Sequence, residues 1–143
     1  MFSFQRVAQI TLLSTALTLV AGRILSGSAG SSRGLLTLDE VITTYTGRSS
    51  LDYNEYGCYC GLGGGGTPVD AVDRCCQTHD RCYGETSCWI THITWTEIYC
   101  AAGYCVCLDP IGTCEHEACS CDVEFGECLQ RAHYNPAHKN YCP

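Results

Sequence analysis

Three features of the sequence predict a small, mostly α-helical domain held together by disulfides. Fourteen of the 143 residues are Cys, all between Cys58 and Cys142, and roughly one residue in six of that window is Cys, a density typical of oxidised scaffolds too small for a large core. Two long stretches, Thr67 to Tyr83 and Cys114 to Ala132, carry apolar residues and Cys at three- and four-residue steps, which is the period of a helix. A shorter helical pattern precedes them, and a single hairpin pattern lies between them. Zinc is the competing use of so many Cys, but no two are spaced as C-x-x-C, so a ribbon or finger is excluded.

The domain begins after residue 33. Val7 to Ala21 is an uncharged, largely apolar run of 15 residues behind Arg6, too short to span a bilayer and suited to the core of a secretory signal peptide over residues 1–22. The polar RILSGSAGSSR that follows, residues 23–33, reads as a propeptide cut after Arg33, the alternative being signal cleavage nearer Gly30 with no propeptide. No later segment is long and apolar enough to cross a membrane, so residues 34–143 are expected to be a soluble, secreted, extracellular domain. Arg6, Arg23 and Arg33 are three of the eight basic residues, and all 15 acidic residues follow Gly34. The domain therefore keeps five basic residues against 15 acidic ones, a net charge of about −10 with His neutral. Such a charge disfavours nucleic acid and anionic membranes, so lipid contact must rest on apolar and aromatic side chains.

Along the domain, Leu35, Leu38, Val41, Ile42 and Tyr45 recur at helical spacing and predict a short amphipathic N-terminal helix, with Leu36 off its apolar face. Five of the six residues Gly61 to Gly66 are Gly, yet no Lys-Ser/Thr follows, which excludes a nucleotide P-loop. The next helix opens with Thr67 as cap, Pro68 at its first position and Asp70 three residues after the cap. Glu97 to Leu108 predicts a hairpin turning at Ala101-Ala102-Gly103, and the second long helix follows it.

The stretch Tyr56 to Tyr83, YGCYCGLGGGGTPVDAVDRCCQTHDRCY, resembles the calcium-binding loop and active-site helix of secreted, calcium-dependent phospholipases A2. CSCD at Cys119 to Asp122, with Cys128 six residues on, resembles that family's second catalytic segment, and YNPAHKNYC near the C-terminus is similar as well. The resemblance implies two long antiparallel helices cross-linked by Cys75–Cys128 and Cys82–Cys121, a calcium-binding loop and a small β-hairpin. Helix geometry is compatible with those pairs, since the Cys on each helix are seven residues, about two turns, apart. In that register His79 lies about 3 Å along the axis from Asp122. The family scheme also implies Cys58–Cys142, Cys60–Cys76, Cys88–Cys114 and Cys107–Cys119. Here the sequence departs from the pancreatic-type pattern, because Ile42 stands where the N-terminal helix would carry a partner for Cys100. A Cys100–Cys105 bridge across the hairpin then completes the set.

The resemblance implies hydrolysis of the sn-2 ester of glycerophospholipids at a membrane or micelle surface, giving a lysophospholipid and a fatty acid. His79 would activate water, Asp122 would orient His79, and Tyr83 would bond Asp122. Ca2+ would be held by the main-chain carbonyls of Tyr59, Gly61 and Gly63 and by both oxygens of Asp80, with the Gly61 amide aiding the developing oxyanion. Asp73 is expected to be structural, and His92, His116, His133 and His138 to be surface residues. Trp89 and Trp95 are either packing residues or interfacial anchors. A binding protein or toxin that keeps the scaffold is the rival reading, although the complete set of site residues argues against it. A purely structural knottin-like module explains the Cys but not that set.

Overall fold

In the computed structural model the described residues are 28–91 and 94–143. The expected signal peptide, the first part of the expected propeptide and His92 lie outside them. The elements in chain order are β1 (Ser28–Arg33), α1 (Gly34–Thr46), a single turn α2 (Ser50–Tyr53), α3 (Ala71–Glu85), β2 (Trp95–Ala101), β3 (Tyr104–Cys107), α4 (Cys114–Arg131) and a 3-10 turn at Pro136–His138. The architecture is the mostly helical, disulfide-rich one expected from the sequence.

The two long helices run antiparallel and are tied at both ends of their contact by Cys75–Cys128 and Cys82–Cys121. Cys58–Cys142, Cys60–Cys76, Cys88–Cys114, Cys100–Cys105 and Cys107–Cys119 complete seven bridges, and no Cys is free. Each bridge restricts the unfolded chain more than the folded one, which suits a domain whose apolar core is divided into two small clusters. One cluster, built around Ile42, Tyr56, Val72, Phe125 and Leu129, lies between the long helices and the loop that precedes them. The other joins Val41 and Tyr45 of α1 to Ile98, Cys100 and Cys105 of the hairpin and Cys119 of α4. Helix α1 approaches α4 closely at Gly126, where a Cβ would lie 2.5 Å from the Tyr45 ring and 2.6 Å from a Val41 methyl.

Several local details differ from the sequence reading. Helix α3 starts at Ala71, not at Pro68, because Asp70 is its N-cap and accepts the Asp73 N–H at 3.0 Å. Thr67 and Pro68 belong to the preceding turn. On α1 the buried face is set by Thr37, Val41, Ile42 and Tyr45. Leu35, expected on that face, is exposed beside Leu36, and the buried Thr37 hydroxyl shares a 2.8 Å hydrogen bond with Thr96 of β2. The hairpin turns at Ala102 and Gly103, both at positive φ (52° and 84°), which fits a two-residue connection between antiparallel strands.

The unexpected element is β1. It pairs antiparallel with β2 along its own full length, from Ser28 opposite Cys100 to Arg33 opposite Trp95, and makes the sheet three-stranded in the order β1-β2-β3. The ladder continues into α1, because the Gly34 N–H bonds the Thr94 carbonyl at 2.9 Å and Gly34 is buried. The peptide bond after Arg33 thus lies at a strand-to-helix junction paired on one side. Proteases bind extended chain, so cutting there requires this junction to open first. Trypsin is expected to cleave at Arg33 at least about tenfold more slowly in the native protein than in the reduced, unfolded chain. Equal rates in a timed digest followed by mass spectrometry would mean that the strand is not held.

Candidate active site

The disulfide-fixed register of α3 and α4 places His79 beside Asp122, at 2.8 Å between His79 Nε2 and Asp122 Oδ1. Both are buried. Tyr83, one turn along α3, donates its hydroxyl to the same carboxylate oxygen at 2.5 Å. A carboxylate taking both bonds is an acceptor, so the proton of the imidazole belongs on Nε2 and Nδ1 remains the basic nitrogen. The ring is clamped between Phe125, stacked at 4.5 Å and 20°, and Tyr83 at 4.2 Å. Burial pushes the Tyr83 phenol far up, and the neighbouring Asp122 charge and their hydrogen bond add to this, so it stays a donor through the neutral range.

His79 and Tyr83 border a cavity of about 460 Å³. Its apolar walls come from Leu38 and Ile42 of α1 and from Phe125, and its polar wall from Tyr59, Gly61 and Asp80. Around the opening Leu35, Leu51 and Leu62 stand 63%, 74% and 94% exposed. Leu51 and Leu62 were not singled out by the sequence, since they lie in short, aperiodic segments where hydrophobic patterning gives no signal. Trp89 is 96% exposed, which excludes partly buried packing for it, whereas Trp95 on β2 is 55% exposed and keeps nearly half of its surface covered.

The expected ligand set also meets a physical test. Asp80 and the loop residues Tyr59 and Gly61 face one cavity, while Gly63 lies with Tyr59 and Gly61 along the neighbouring cleft. Gly61 and Gly63 have φ of 147° and 80°, conformations that side-chained residues avoid and that let a short loop turn its carbonyls one way. A carboxylate and main-chain carbonyls are hard oxygen donors, the type that calcium takes. No cluster of three or more His, Cys, Asp or Glu suited to a metal occurs among the described residues, so any such ion here needs the loop carbonyls.

The loop itself is held from below by Asp73. Its fully buried carboxylate accepts the N–H groups of Cys58 at 2.8 Å, Tyr59 at 2.7 Å and Val69 at 2.9 Å. A Cβ at Gly57 would overlap that carboxylate, so only Gly allows the approach. Asp73 is therefore structural, as expected, and its structure is that of the loop. The four other His residues divide. His133 is exposed, His116 bonds the Asp109 carbonyl at 2.9 Å, and His92 lies outside the described residues. His138, expected at the surface, is instead partly buried and paired with Asp70 at 2.9 Å, a contact between distant segments that local sequence could not signal.

A family model described as Phospholipase A2 matches residues 35–139. The chain is also 41% identical over 140 residues to a phospholipase A2 of Bos taurus, an alignment that covers 90% of this chain and 94% of the relative.

Replacing Asp73 by Asn keeps its volume but substitutes an NH2 group for an acceptor that faces N–H donors. Asp73→Asn is expected to lower stability by about 2–3 kcal/mol, the size of a lost charged hydrogen bond with a donor left buried. Thermal unfolding measures this, and an unchanged midpoint would remove Asp73 from its role as loop support.

Proposed function

Because the chain belongs to the phospholipase A2 family, we propose that its cavity hydrolyses the sn-2 ester of glycerophospholipids with water activated at His79. The observation that carries this reading is the buried Asp122–His79 bond opening onto an apolar cavity whose other wall is Asp80 and the Gly-rich loop. His79 Nδ1 takes a proton from water as the water oxygen attacks the ester carbonyl carbon. Asp122 holds the imidazole in the required tautomer and balances its positive charge. Nδ1–H then returns the proton to the departing sn-2 alkoxide oxygen, which leaves as the lysophospholipid hydroxyl. Fatty acid is the other product, and no acyl-enzyme forms.

Tyr59, Gly61, Gly63 and Asp80 would hold a calcium ion, which supplies when bound a Lewis acid for the ester carbonyl. The Gly61 N–H offers a further donor to charge developing on the carbonyl oxygen. Leu38, Ile42 and Phe125 give the acyl chain an apolar lining and keep bulk water from the imidazole. The exposed Leu35, Leu51 and Leu62 place apolar contacts around the entrance, the arrangement needed to meet a lipid surface without basic residues. No described helix is long and apolar enough to cross a membrane. The N-terminal apolar run and the seven disulfides support secretion to an oxidising extracellular space.

Fatty-acid release from phosphatidylcholine vesicles is expected to stop with excess chelator and to return with added Ca2+. Release that ignores chelation would exclude the calcium mechanism, and no release under any condition would favour the scaffold-as-binder reading. Asp80→Lys puts an ammonium among neutral carbonyls in place of a carboxylate. It should cut calcium-stimulated turnover by at least about 10³, or roughly 4 kcal/mol at 1.36 per decade, with near-native circular dichroism. Leu35, Leu51 and Leu62 replaced together by Ala should weaken vesicle binding by at least about tenfold, since each loses buried apolar area. Unchanged sedimentation with vesicles would contradict that assignment.

A further inference from the structure

A second carboxylate collects one Tyr hydroxyl and one His nitrogen on a single oxygen. Asp70 Oδ2 accepts Tyr56 Oη at 2.5 Å and His138 Nδ1 at 2.9 Å, the same pattern that Asp122 Oδ1 makes with Tyr83 and His79. None of Tyr56, Asp70 and His138 lines the catalytic cavity. Tyr56 is wholly buried and Asp70 and His138 are partly buried, away from the residues that line that cavity. The neighbours of this set indicate a different task.

Tyr56 opens the Gly-rich loop. The C-terminal segment closes over it, because His138 O accepts the Gly57 N–H at 2.9 Å and the Asn140 N–H bonds Glu55 O at 2.7 Å. The Asn135 N–H bonds the Tyr56 hydroxyl at 3.2 Å, and Cys58–Cys142 locks the far end covalently. The Tyr56 ring also packs against Tyr134 at 5.1 Å and His138 at 5.7 Å. On the other side Asp70 Oδ1 caps α3 through the Asp73 N–H, and the Asp73 carboxylate holds the amides of Cys58 and Tyr59. Burial by itself would raise the Asp70 carboxyl, but the bonds from Tyr56, Asp73 and His138 outweigh it and lower it, so Asp70 stays ionised. The path runs from His138 through Asp70 and Asp73 to the N–H of Tyr59, the residue whose carbonyl is the first expected calcium ligand.

We propose that His138, Asp70 and Tyr56 are positioning residues for the calcium loop, joining the C-terminal segment to the helix cap so that the Tyr56–Tyr59 stretch is set before the ion arrives. This rests on the calcium reading given above. The physical gain is preorganisation. A loop already fixed loses little conformational entropy on binding, whereas a loop released at Tyr56 must be ordered at the expense of affinity. The disulfides at Cys58 and Cys60 cannot do this alone, because both lie C-terminal to Tyr56 and Gly57 and do not themselves fix those two peptides.

Calcium titration calorimetry on the full chain tests this without reference to turnover. Tyr56→Phe keeps the ring and removes only the hydroxyl, and His138→Leu removes the donor. Each should raise the calcium dissociation constant about tenfold, the cost of roughly one charged hydrogen bond. His138→Asn carries an amide nitrogen where Nδ1 stood and should remain within about twofold of the parent. Because both bonds end on one oxygen, the double variant Tyr56→Phe/His138→Leu should lose less than the product of the two single losses. Melting of the calcium-free proteins gives the contrast. Lower melting temperatures with unchanged calcium affinity in Tyr56→Phe and His138→Leu would overturn the proposal and leave a plain tether. Failure of His138→Asn to restore affinity would overturn the role of the Nδ1 bond. An absence of calcium binding in the unmodified chain would instead overturn the calcium reading itself.

Discussion

The axial register of α3 against α4 is the constraint on which the rest depends. Cys75–Cys128 and Cys82–Cys121 cross the same helix pair two turns apart, and His79 sits between the two bridges. Two covalent ties at different heights prevent sliding as well as separation, which packing in so small a core would resist only weakly. With the register fixed, His79 meets Asp122, Tyr83 reaches the same carboxylate from the next turn, and Phe125 stacks on the imidazole from the next turn of α4. A slip of one turn, about 5.4 Å, would break all three contacts together. The bridges therefore provide stability and also set the geometry of the His79, Asp122, Tyr83 and Phe125 contacts.

Carboxylates do the remaining organisation. Asp122 orients the imidazole, Asp73 holds three loop amides, and Asp70 caps α3 and gathers Tyr56 and His138. Asp73 and Asp122 are almost wholly buried and each has several donors, which is the condition under which a buried charge is tolerated. No buried side-chain polar atom among the described residues lacks a hydrogen-bond partner. Part of the acidic excess is thus internal framework. The cavity is bordered by exposed Leu35, Leu51 and Leu62 and, among the described residues, by no Lys or Arg.

What the sequence made legible follows from which signals are local. The bridges were legible through the resemblance of the Cys and His-Asp motifs to the phospholipase A2 family. Helical rise, which converts residue number into position, made the Cys75–Cys128 and Cys82–Cys121 pairs compatible with a meeting of His79 and Asp122. The hairpin was legible from its strand and turn residues. Asp70 was visible as part of a helix start but was assigned the wrong position, since Thr67-Pro68 and Asp70 both offer good N-terminal chemistry and only tertiary bonding to Tyr56 and His138 decides between them. Strand β1 was not legible: SAGSSR has little intrinsic β preference, and its pairing exists only because β2 presents an open edge. Leu51, Leu62 and His138 owe their roles to contacts or exposure created by chain segments far away in sequence, which no periodicity encodes.

The central claim is that Asp122 fixes the His79 imidazole with its proton on Nε2, leaving Nδ1 as the base. Nitrogen-15 NMR of the histidine side chains, recorded above the titration range of the imidazole, reads that tautomer directly. The account predicts that the His79 Nε2 resonance is of the protonated, pyrrole type and Nδ1 of the unprotonated, pyridine type, and that Asp122→Ala shifts both toward the average of a freely exchanging ring. A native His79 protonated on Nδ1, or one whose two nitrogens already show averaged shifts, would contradict it.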